Sequence, residues 1–60
     1  MNTGMPTQDL EMIYDELALK IDQAGERSEL LLAKLSLLLA NQIGDKEIVL
    51  GMIGSAAKDL

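Results

Sequence analysis

The sequence predicts an all-α protein: a helical hairpin plus a short third helix, completed as a helical bundle by homodimerisation. Three observations carry that expectation. Apolar residues recur at helical spacing, and none of the 60 residues falls in a strand-like alternation. Gly25 and Gly44 each close one periodic stretch and precede a polar restart. Residues 30–40 read Leu-Leu-Leu-Ala-Lys-Leu-Ser-Leu-Leu-Leu-Ala, which is too apolar for a helix with one buried side. A helix apolar nearly all round must be buried nearly all round. A domain this small hides only about 60% of its unfolded surface, so a second copy is the simplest source of cover.

Residues 1–6 read as a flexible tail, and 7–60 as a single helical domain with helices at about 8–24, 29–43 and 46–58. In the first helix, Leu10, Tyr14, Leu17, Ile21 and Ala24 form a 4-3-4-3 stripe that Ile13 and Ala18 widen. Thr7 offers an N-cap, Asp9 and Glu11 suit the positive first turn, and Gly25 is the C-terminal stop. Glu16 and Lys20 form an i,i+4 pair. The Tyr14 ring is expected in the core, its hydroxyl on a backbone partner or water.

Ser28 is the expected cap of the second helix, and Asn41–Asp45 is stop-and-restart punctuation, with Asp45 capping the third. At 100° per residue the second helix resolves into two stripes. Leu31, Leu32, Leu35, Leu38, Leu39 and Ile43 form a broad one for the same chain; Lys34 and Asn41 share a polar wedge. Leu30, Ala33, Leu37 and Ala40 form the second, whose small residues admit a close helix, and it is expected as the self-association seam. A monomeric three-helix bundle with both stripes internal is the alternative. In the third helix Val49, Met52, Ile53, Ala56 and Leu60 form the buried side, weakened by Gly51 and Gly54.

Chemistry is scarce. Without Cys or His, neither a Ser–His–Asp nor a Cys–His arrangement can be built, and the commonest zinc ligands are missing. No catalytic, cofactor or metal residues are assigned, and no enzyme activity is expected. Glu11, Asp15 and Asp22 share one side of the first helix; in an oligomer they could converge on a divalent cation, and a solvated acidic face explains them equally well. Met12 and Leu19 lie one heptad apart among charges. They are a candidate partner contact, a second oligomer contact, or isolated surface hydrophobes.

A net charge of −5 disfavours nucleic acid and anionic membrane surfaces. The apolar run spans about 16 Å as a helix against roughly 30 Å of hydrocarbon, and residues 1–6 lack a secretory pattern. The location expected is therefore cytoplasmic.

The stretch Leu35-Ser-Leu-Leu-Leu-Ala-Asn-Gln-Ile-Gly-Asp45 resembles a family of short bacterial proteins known as domain of unknown function 2783. Tyr14 with Leu17, and Leu31 with Leu35, match its Tyr-x-x-Leu and Leu-x-x-x-Leu elements. The resemblance covers most of residues 9–57; the corner Asn41–Asp45 is its most specific part. Where the family often has an acidic residue or His, this chain has Gln42 or Gln23, so any role for His there is absent. Members look like companions of flavin-dependent aromatic hydroxylases, so the resemblance implies an accessory protein in aromatic catabolism.

The leading expectation is thus a non-enzymatic protein-interaction or accessory factor with no cofactor, a homo-oligomer with a dimer favoured and a larger protein as further partner. An acidic, antitoxin-like regulatory partner and a small apolar-ligand binder using the bundle interior are the alternatives.

Overall fold

Two glycines at positive φ set the path of the chain. The computed structural model describes residues 4–58, and almost all of them are helical. α1 runs Thr7–Ala24, a single 3-10 turn follows at Gly25–Arg27, α2 runs Ser28–Ile43 and α3 runs Lys46–Ala57. No strand occurs among the described residues, and none of these helices is long and apolar enough to cross a membrane. Met1–Thr3 of the expected tail, and Leu60 of the expected third-helix face, lie outside the described residues.

Gly25 closes α1 at φ 58°, ψ −119°, and its N–H donates to the Ile21 carbonyl. Gly44 closes α2 in the left-handed region at φ 73°, ψ 16°, and its N–H donates to the Ala40 carbonyl over 2.9 Å. A side chain at either φ would be strained, which is why glycine stands there. Asp45 then turns the backbone into an extended conformation, and its Oδ1 accepts from the Glu47 and Ile48 N–H groups at 2.9 and 3.2 Å. Those bonds satisfy two of the four orphan donors of α3. A reversal of only two residues therefore carries its own hydrogen bonds.

The other two expected caps are not formed. α1 starts at Thr7 itself, one residue early, because Pro6 occupies the cap position; its carbonyl accepts from Asp9 and Leu10 at 3.0 and 3.1 Å. Ser28 is already helical at φ −62°, ψ −35°, and the cap position falls to Arg27, with no side-chain bond. The 3-10 turn runs straight into α2, so the extended backbone that a capping serine needs never arises.

The hairpin is open. Among the described residues, no two that are twelve or more apart in sequence bring their Cα atoms within 8 Å. α1 and α2 touch only around the turn, where Leu17, Ile21, Ala24, Ser28, Leu31 and Leu35 are half-buried. Beyond it the two helices diverge. Tyr14 is not a core ring: it is 71% exposed and, unlike Met12 and Ile13 beside it, does not line the groove that α1 forms with α2. The α2–α3 corner is similar, with only Ala40 and Val49 half-buried. Met52, Ile53 and Ala56 face α2 across an open groove and stay exposed.

No described side chain is fully buried. The chain exposes 5688 Å², whereas a folded monomer of its 6.5 kDa mass exposes about 3,800 Å². The radius of gyration is 12.7 Å, against about 10 Å for a compact domain of this length.

Replacing Asp45 by Ala leaves two N–H groups of α3 without their carboxylate, and should cost about 1 kcal/mol of folding stability. Urea unfolding followed by far-ultraviolet circular dichroism checks this. A midpoint equal to the parent's would show that the cap contributes nothing.

Candidate functional site

α2 is the element on which any site must be built, because its neighbours leave most of it uncovered. The expected broad stripe divides in two. Leu31, Lys34, Leu35 and Leu38 look toward α1. Ser36, Leu39, Ala40 and Ile43 look toward α3. A third sector carries Leu30, Ala33 and Leu37, which are exposed and line neither groove. At 100° per residue the three sectors stand roughly 100–140° apart. α2 therefore has three apolar faces and, within its own chain, two partial neighbours.

The expected seam is accordingly split. Leu30, Ala33 and Leu37 stay together on the outer sector, while Ala40 is half-buried at the α2–α3 corner beside Val49. The helical wheel put Ala40 next to Ala33; the reversal at Gly44–Asp45 brings α3 back over that edge of α2.

A cleft of about 540 Å³, open to solvent, lies between α1 and α2. Ile13 and Leu17 of α1 face Leu31, Leu35 and Leu38 of α2 across it, and Met12, Glu16, Lys20 and Lys34 complete its lining. Met12, expected with Leu19 on the far side of the first helix, instead lines the cleft that faces α2. Leu19 does not line the cleft and is half-exposed elsewhere on α1. Only the cleft's position was hidden in the sequence, since both walls belong to apolar stripes that periodicity reveals.

Charges around the cleft are arranged simply. Glu16 Oε2 lies 3.6 Å from Lys20 Nζ, an exposed i,i+4 pair worth about 0.3 kcal/mol. It is the sole ion pair among the described residues, so Lys34 has no acidic partner there. The Ser36 hydroxyl donates to the Leu32 carbonyl over 2.8 Å, spending its polarity on its own helix. Among the described residues no three of Asp, Glu, His or Cys come close enough together to hold a metal ion, and this includes Glu11, Asp15 and Asp22. The arrangement offers apolar area, a basic spot and shape. It offers no nucleophile and no base held against one.

The fold and its exposed faces define a class: a small, open, all-helical protein that leaves much of its apolar surface uncovered. Within that class the chain belongs to the family described as "Protein of unknown function (DUF2783)", which matches residues 1–58. The match includes the Asn41–Asp45 corner and extends beyond both ends of the 9–57 span. No curated protein and no solved structure matches the chain.

On α3, a methyl group built at Gly51 or Gly54 would meet no atom within 4 Å. Gly51→Ala and Gly54→Ala should each stabilise the protein by up to about 1 kcal/mol through helix propensity alone. A loss of stability in thermal unfolding would instead show that this face of α3 is packed closely against another chain.

Proposed function

We propose that this protein is a non-enzymatic interaction factor that completes its fold by homodimerising and, as a dimer, attaches to a larger protein. The observation that carries this reading is the uncovered surface: about 1,900 Å² more than a folded monomer of the same mass exposes. Its apolar part includes Leu30, Leu37, Leu38, Ile48 and Ile53, all more than half exposed or at half. Monomeric proteins rarely leave contiguous apolar patches larger than a few hundred Å². A copy of the same chain is the partner always present at the moment of synthesis, which suits a chain with so little core of its own.

The larger partner is drawn from the family resemblance, which implies a flavin-dependent aromatic hydroxylase. The uncovered apolar faces of α2 support the accessory part of that role. The proposed setting is the cytoplasm.

Sedimentation equilibrium at micromolar concentration should give twice the 6.5 kDa chain mass. The tagged dimer, returned to its native cells, should then co-purify with a protein carrying a flavin absorption spectrum. A chain that sediments as a monomer refutes the first part. A dimer recovered alone, at several expression levels, refutes the second.

A further inference from the structure

We infer that the α1–α2 cleft is where the second copy seats, cleft against cleft about a two-fold axis, with α1 of each chain in the opening of the other. This assignment rests on the homodimer proposed above and names its contact surface. Three observations support it.

The first is area. Each chain exposes about 1,900 Å² beyond a folded monomer of its mass, so two copies hold enough surface for the ~2,000–5,000 Å² that obligate homodimers bury. The cleft supplies part of that area and engages two helices of each chain, where the outer sector engages α2 alone.

The second is the match between what is open and what is bare. Met12 and Ile13, in the N-terminal half of α1, line the cleft and are about half exposed or more. Leu10 and Tyr14, outside its lining, continue the exposed apolar stripe in the same half of the helix. Two clefts brought together about a two-fold axis place the bare half of each α1 in the other's opening. Contact in an isologous pair must be self-complementary, and an apolar wedge facing its own image meets that condition.

The third is charge. The lining carries both signs, Glu16 beside Lys20 and Lys34 without an acid. A two-fold pairing allows Glu16 of each chain to approach Lys34 of the other, so the rims attract although each chain carries −5 overall.

Adjacent leucines provide the test. Leu37 and Leu38 are 71% and 68% exposed, so an isolated chain is indifferent to either. Leu38 lines the cleft and Leu37 lies on the outer sector. By sedimentation equilibrium, Leu38→Asp should weaken dimerisation by about 100-fold and Leu37→Asp by less than about threefold. A dimer broken by Leu37→Asp alone, by both substitutions or by neither overturns the cleft assignment while leaving the homodimer intact. A monomeric wild type overturns the homodimer itself.

Loss of the dimer can take the fold with it, so an exposed charge swap forms the second arm. Lys34→Glu should weaken the dimer about fivefold, the scale of one rim ion pair, and adding Glu16→Lys should restore it to within about twofold. Failure of the double variant to recover overturns the contact.

Discussion

The constraint on which everything else depends is the mismatch between α2 and its neighbours. Its sixteen residues include leucines on three sides, while α1 and α3 leave most of its side chains exposed. Apolar burial stabilises by about 25 cal/mol per Å² removed from water, and among the described residues no side chain is fully buried. In the proposed dimer the exposed leucines are the other half of the core.

The corners show where the chain invests its local specificity. Gly44 and Asp45 reverse the chain in two residues with backbone and carboxylate hydrogen bonds fully assigned. Gly25 does so with one backbone bond and a 3-10 turn. Local signals thus fix where helices stop, while among the described residues no two that are twelve or more apart bring their Cα atoms within 8 Å to fix the angle between α1 and α2. Elements joined this way have low resistance to local opening. A partner that fills the wedge would supply the missing constraint, so association and the final arrangement of helices become one event. The mixed-sign rim of Glu16, Lys20 and Lys34 then serves orientation more than affinity.

Much of this was legible in the residues, and what was not has a common cause. Periodicity located the three helices because spacing is a local property, and the Asp45 cap was readable because its donors lie two and three residues ahead. The caps at Thr7 and Ser28 failed because capping also requires an extended backbone, which Pro6 took over in one case and the 3-10 turn removed in the other. Tyr14 and Ala40 failed for a longer-range reason. A helical wheel says which way a side chain points, but not whether a neighbouring helix reaches it: Tyr14 lies outside the groove that α1 forms with α2, and α3 folds back onto Ala40. The cleft escaped notice on the same ground, because a concavity between two helices depends on the angle at which they leave a turn. That no Ser–His–Asp or Cys–His arrangement can be built was the easiest part to read, since the composition holds neither His nor Cys.

The central claim is that folding and association are one equilibrium, and the concentration dependence of thermal unfolding tests it most directly. Anything that binds only the folded state makes the midpoint depend on its concentration. Melting curves by circular dichroism over a hundredfold range of chain concentration should shift upward by about 5 °C for each tenfold increase. A cooperative transition at the same temperature throughout would mean that the single chain folds by itself, and the account would be contradicted.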